Sequence, residues 1–167
     1  MLSFDLRTLE STAARVEAVL PADDPVWEEG DILPVAGVSV SGRLSVAGAG
    51  KFYFSGRIAG TAATSCRRCL EDLQVAVDEE VHLLLVDATS EEADQPDVYL
   101  IDVRQHELDV RPAIREEWLL AVPQFAVCSE TCQGLCPTCG GNRNIGACAC
   151  KPAIDPRWSA LSSLRDT

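Results

Sequence analysis

Positive charge is scarce in this sequence. Its 167 residues carry 14 Lys and Arg against 26 Asp and Glu, a formal net charge of −12, with a pI near 4.5. The mean field of so acidic a chain repels phosphate, which argues against general binding of nucleic acid or of an anionic membrane surface. Long apolar runs are missing too: no uncharged stretch reaches the roughly 18 residues that a bilayer-spanning helix needs. Histidine is down to two, His82 and His106, and neither has a companion nucleophile motif, which leaves little basis for acyl-transfer chemistry. The segment Gly48-Ala49-Gly50-Lys51 lacks the G-x-x-x-x-G-K spacing of a phosphate loop, and Phe52 stands where Ser or Thr should follow. It reads as a hairpin turn. The first residues carry Asp5, Glu10 and Glu17 and lack the pattern of a secretory signal, so the expectation is a soluble cytoplasmic protein.

What remains is an ordinary globular composition, 47% hydrophobic and 24% charged, on a chain long enough for one well-cored domain. One feature departs from the ordinary. There are eight cysteines: Cys66, Cys69, Cys128, Cys132, Cys136, Cys139, Cys148 and Cys150. A reducing compartment disfavours four disulfides, and scattered core thiols would not fall as two C-x-x-C pairs plus C-x-C. Metal ligation explains the pattern better.

Local patterning predicts an α+β protein. Within residues 1–20, Leu2, Phe4 and Leu6 alternate and the remainder then reads as helical, with Ser11 and Thr12 as candidate caps and Ala14, Ala18 and Val19 near one face. Residues 21–36, with three prolines and five acids, read as an irregular connection. From Gly37 the period changes to two, through VSVSGRLSVAG, KFYFSGRIAGTAATS and LQVAVDEEVHLLLV, predicting an antiparallel β-rich body. Residues 87–97 form an acidic loop and 98–103 one more strand. A helix is expected near 109–121, capped by Asp109, with Val110, Ile114, Trp118 and Ala121 on one face and Pro123 ending it. Along the strands Phe52, Tyr53 and Phe54 alternate faces, His82 belongs to a sheet face or core, and His106 to a solvated turn. Glu79–Glu80 and Glu116–Glu117 are solvated acids.

Charge divides the chain. Residues 1–127 hold 10 basic and 23 acidic side chains, while 128–167 hold four and three. The expected organisation is therefore an acidic body, 1–127, and a Cys-rich tail, 128–167, ordered by metal and docked on the body as one structural domain.

Cys136-Pro-Thr-Cys139-Gly140 is a knuckle, two thiolates on a tight turn, and Cys148-Ala-Cys150 follows after a glycine-bearing loop. Cys66-Arg-Arg-Cys69 is a second knuckle after a strand, and Cys128 and Cys132 stand four apart. One division puts Cys136, Cys139, Cys148 and Cys150 on one ion and Cys66, Cys69, Cys128 and Cys132 on another. A rival division pairs the two C-x-x-C knuckles with each other, as in a zinc ribbon. Zinc is the expected ion, one or two per chain, since closed four-thiolate sites in cytosolic proteins are most often structural zinc; rubredoxin-like iron or an iron–sulfur cluster is the alternative. Such a closed shell leaves no open position for hydrolysis. Arg67 and Arg68 inside the first knuckle either contact phosphate or offset thiolate charge.

The run Cys128-Ser-Glu-Thr-Cys132-Gln-Gly-Leu-Cys136-Pro-Thr-Cys139-Gly-Gly-Asn-Arg-Asn144, then Cys148-Ala-Cys150, then Asp155-Pro-Arg-Trp-Ser-Ala-Leu-Ser-Ser-Leu164, resembles the C-terminal signature of the YceD family. The likeness extends to the C-x-x-C at 66–69, the stretch ending at Pro123 and the opening Phe4-Asp-Leu-Arg-Thr-Leu9. These bacterial and plastid proteins are named for large ribosomal RNA subunit accumulation. The resemblance implies a role in 23S ribosomal RNA accumulation and large-subunit biogenesis, and the lack of recognisable catalytic machinery in the sequence leads to the expectation of a non-enzymatic factor. Relatives that keep the 66–69 pair without the 136–150 cysteines imply an older first site and two metals here.

A chain at −12 should not coat RNA by counterion release. The acidic body is expected to bind a basic ribosomal or assembly protein; the other route gathers Arg67, Arg68, Arg143 and Lys151 into a local RNA contact. Neither a membrane nor a small-molecule substrate is expected. The competing function is a redox-switched zinc protein or chaperone that releases metal on oxidation.

Overall fold

The computed structural model describes residues 2–151 and Arg157. Most of the stretch 155–164, part of the family resemblance, lies outside the described residues. The chain falls into two compact units, one of Met1–Thr64 with Gln74–Gln124, the other of Ser65–Leu73 with Phe125–Thr167. The elements are β1 (Ser3–Asp5), α1 (Leu6–Ser11), β2 (Ala14–Leu20), β3 (Val38–Gly48), β4 (Lys51–Ser65), β5 (Asp72–Asp87), β6 (Val98–Ile101), β7 (Glu107–Asp109) and α2 (Arg111–Ala121). No helix among them is long and apolar enough to cross a membrane.

The first unit is built on a five-stranded sheet in the order β2-β3-β4-β5-β6, with β1 and β7 forming a separate antiparallel pair. Alternation sets the faces. Val38, Val40 and Leu44 of β3 are buried and meet Ile58 and Phe54 of β4 in the register Val40↔Ile58 and Leu44↔Phe54. The residues between them, Ser39, Ser41, Arg43 and Ser45, face the other side. The hairpin turn expected at 48–51 is there, with Gly48 opposite Lys51. Phe52 and Phe54 are core, whereas Tyr53 lies exposed and stacks on His82 at 6.0 Å between ring centroids.

Two local readings differ from the structure. Within the stretch of residues 1–20 expected to be helical, Ala14–Leu20 is instead β2, paired with β3 from Ala14↔Leu44 to Leu20↔Val38. Ala14, Val16, Ala18 and Leu20 also fit a period of two, and a whole β3 edge was available to satisfy their backbone groups. Only the early part of that stretch is helical: Asp5 caps α1 by accepting from the amides of Arg7 and Thr8, and Thr12 ends it. At α2, Asp109 accepts from the Arg111 amide at 2.9 Å, but Val110 occupies the cap position itself. The strand β6 runs parallel to β5, Leu84↔Val98 through Asp87↔Ile101, because residues 88–97 carry the chain back before it pairs.

Helix α2 closes the core. Ile114 and Trp118 are fully buried on the face expected from their spacing. A Cβ at Gly60 of β4 would stand only 3.0 Å from the Trp118 ring, so the absent side chain makes room for the indole. The proline-broken connection over 21–36 is tied to α2 by the Trp118 indole N–H to Ile32 carbonyl at 2.8 Å and by a two-pronged Arg115–Asp31 pair at 2.7 and 2.9 Å.

Candidate metal centres

The second unit owes little to apolar packing. Its buried cluster consists of Cys66, Cys69 and Cys132, with Val127 and Leu135 against them. The chain organises instead around sulfur. The first turn is closed by the Leu70 amide donating to the Cys66 carbonyl at 2.9 Å, and the second repeats it, Gly140 amide to Cys136 carbonyl at 2.9 Å. Each C-x-x-C thus reverses the chain so that two sulfurs point the same way.

All eight cysteines gather into two groups of four: Cys66, Cys69, Cys128 and Cys132, and Cys136, Cys139, Cys148 and Cys150. Within each, the sulfurs all lie within 4.8 Å of one another. Of the two divisions open from spacing, this is the one that leaves each C-x-x-C with its own partners. Cys66 Sγ stands 3.8 Å from Cys132 Sγ, and Cys69 Sγ 3.7 Å from Cys128 Sγ. A tetrahedron with metal–sulfur bonds of about 2.3 Å has edges of about 3.8 Å. Disulfide sulfurs would be about 2.05 Å apart. The donor set therefore fits a thiophilic cation, and two groups of four cysteines can hold a metal ion.

Electrostatics within each group point the same way. The Cys66 thiol is lowered to about 6, first because the Cys128 amide donates to its sulfur at 3.3 Å. Cys128 is pushed up to about 12 by its neighbours Cys132 and Cys69. The second group repeats the split: the amides of Cys139 and Thr138 lower Cys136 to about 6, while Cys139 pushes Cys150 up to about 12. Four thiolates cannot share so small a space without a cation, so some hold their protons. A divalent ion removes that penalty and takes the protons' place.

Supporting contacts come from residues that sequence reasoning did not single out as a network. The Asn144 amide donates from Nδ2 to Cys132 Sγ at 3.4 Å, and its Oδ1 accepts from the Gln133 amide at 2.7 Å. Asn142 anchors this loop by donating to Glu71 at 2.8 Å. The only signal in the sequence was the Asn-Arg-Asn run itself, whose short amides favour turns that bond their own backbone. Arg68 is exposed but braces its own site. Its guanidinium donates to the carbonyls of Glu130 and Cys132, at 3.0 and 3.2 Å, and clamps the turn that carries Cys132. Arg67 lies 5.6 Å from the centroid of the Phe125 ring. Burial separates the groups: three cysteines of the first are buried, whereas Cys139, Cys148 and Cys150 of the second are exposed.

The family model for the large ribosomal RNA subunit accumulation protein YceD matches residues 54–165, which takes in all eight cysteines. A maize protein described as a chloroplastic homologue of that accumulation protein is 45% identical over 47 residues, 28% of this chain. That match covers only 16% of the maize protein's length. An uncharacterised Bacillus subtilis protein, YlbN, is 27% identical over 136 residues, covering 80% of this chain and 77% of its own. No solved structure matches.

Proposed function

This chain belongs to the YceD family, and from that premise we propose that it is a non-enzymatic, zinc-binding factor that supports accumulation of 23S ribosomal RNA and assembly of the large ribosomal subunit. The observation that carries the reading is the gathering of eight cysteines into two four-thiol groups inside the family-matched region. Cys66, Cys69, Cys128 and Cys132 hold one zinc, and Cys136, Cys139, Cys148 and Cys150 a second. Zinc supplies folding energy there, because four thiolates leave no position for a reacting water. The expected direct partner is a basic ribosomal or assembly protein of the cytoplasm, drawn by the −12 net charge, which opposes wide contact with RNA.

Depletion followed by measurement of the 23S to 16S ratio and a sucrose-gradient profile tests the role. Rescue by the wild type, but not by a Cys66→Ser, Cys69→Ser double variant, supports it and ties the first site to the function. An unchanged ratio with a normal gradient rules it out. Elemental analysis of the purified protein tests the metal, two zinc per chain being the expected value.

The exposure of Cys139, Cys148 and Cys150 favours one second reading, release of metal from the second group on oxidation. Rapid zinc release at low peroxide with a gain of binding to unfolded protein would bring the redox-chaperone function to the front.

A further inference from the structure

The two C-x-x-C turns offer an internal comparison. Leu70 and Gly140 follow the second cysteine of their respective turns, make the same amide-to-carbonyl bond, and share left-handed backbone, φ +60° and φ +72°. Glycine is the residue that this conformation favours, and the second turn has it. The first turn places a leucine there, and its side chain is 63% exposed. Neither backbone preference nor burial accounts for a leucine at this position, which is the situation in which a strained residue points to function.

A second apolar side chain stands beside the same turn. Phe125 is 76% exposed, and its ring carries the Arg67 guanidinium 5.6 Å above its centroid. The backbone fixes the two together, since the Arg67 amide donates to the Ala126 carbonyl at 2.9 Å. Aromatic residues and arginine are enriched in the cores of protein–protein interfaces, and the exposed leucine of the same turn adds apolar area to them. Arg67 and Leu70 are held out by a turn whose own cysteines are buried, with Phe125 beside them.

We propose that Arg67 and Leu70 on the first cysteine turn, with Phe125 beside it, form the anchor through which this protein docks on a basic protein partner; the inference rests on the metal-binding reading above and deepens it. Charge chooses protein over RNA. Residues 65–73 and 125–167 hold six basic and five acidic side chains. Eight thiolates holding two dications add a further −4, which takes this unit from +1 to −3. The remaining residues stand at −13. With both units anionic, a polyphosphate chain is repelled, and a cationic polypeptide that offers an apolar side chain to Leu70 and Phe125 is complementary.

The test uses the zinc-loaded full chain with two probes, the total protein extracted from purified large ribosomal subunits and naked 23S transcript. Leu70→Gly should fold and hold metal as well as the wild type, because its backbone already suits glycine; Phe125→Ala removes an exposed ring. The expected result is that the wild type retains one or more basic ribosomal proteins and that each variant weakens this at least tenfold, with zinc content and thermal unfolding unchanged. Equal retention by wild type and variants overturns the anchor while leaving the proposed function standing. Binding of the transcript in place of the proteins, lost in Phe125→Ala, overturns the partner class. Binding of neither probe by the wild type defeats the proposed direct protein partner, and the anchor with it.

Discussion

Asn144 sits between two cysteines of one four-thiol group and gives its side-chain amide to a cysteine of the other, Nδ2 to Cys132 Sγ at 3.4 Å. An N–H directed at a thiolate stabilises its charge and fixes the direction in which its lone pairs point. The two groups are thus linked through one side chain although they share no ligand.

Asn144→Asp tests that link. The aspartate keeps an acceptor for the Gln133 amide but turns a carboxylate toward sulfur. Zinc affinity of the first group is expected to fall roughly 10–100-fold, the usual effect of losing a supporting contact around a metal site. Competition with a chromophoric chelator reads it, and an unchanged affinity would show that the Asn144 bond is incidental.

Removal of metal should unfold the two units unequally. The first unit has a continuous core running from Leu2 to Val122, and the second has three cysteines with Val127 and Leu135. After chelation, amides over 125–151 should exchange at nearly unprotected rates while those of β3 and β4 stay protected. Hydrogen exchange followed by peptide mass measures this, and a tail as protected as before would contradict a metal-ordered second unit.

Acid should loosen the connection over 21–36. The Arg115 side chain, bonded to Asp31, holds that carboxyl below its usual range, and Asp31 is only 8% exposed. The native state therefore binds this proton less readily than the unfolded chain does. The contribution is complete above the unfolded value of about 3.9 and disappears as pH falls through the lower native value. Asp31→Asn should lower stability at neutral pH and flatten the acid limb of a denaturation curve; an identical limb in both proteins would refute it.

Oxidation should begin in the second group. Cys139, Cys148 and Cys150 are exposed, whereas in the first group only Cys128 is. At limiting peroxide, peptides covering 136–150 should lose free thiol several-fold sooner than those covering 66–69. Thiol labelling with mass detection distinguishes this from equal loss at both.

The sheet was legible because long stretches of β3, β4 and β5 alternate and a glycine turn separates the first two strands. Helix α2 was legible through Ile114 and Trp118. Residues 14–20 were not, since Ala-Arg-Val-Glu-Ala-Val-Leu satisfies both periods over so short a span, and only the neighbouring β3 decides. The parallel direction of β6 depends on where its return loop lands, which no local pattern encodes. The cysteines declared themselves by spacing, yet the role of Arg68 did not. Spacing leaves its guanidinium open to contacting phosphate or offsetting thiolate charge, and neither reading names the carbonyls of Glu130 and Cys132 to which it donates.

The two four-thiol groups differ in how far apart their members stand along the chain. The second is contained within residues 136–150, so it can close as soon as that stretch leaves the ribosome. In the first, Cys69 and Cys128 are separated by 59 positions. Closing so long a loop costs more chain entropy than closing the short second one, although all four cysteines of the first group are synthesised before Cys136. A metal held by the first group would therefore fasten together distant parts of the polypeptide, whereas one held by the second would tie down only its own short loop.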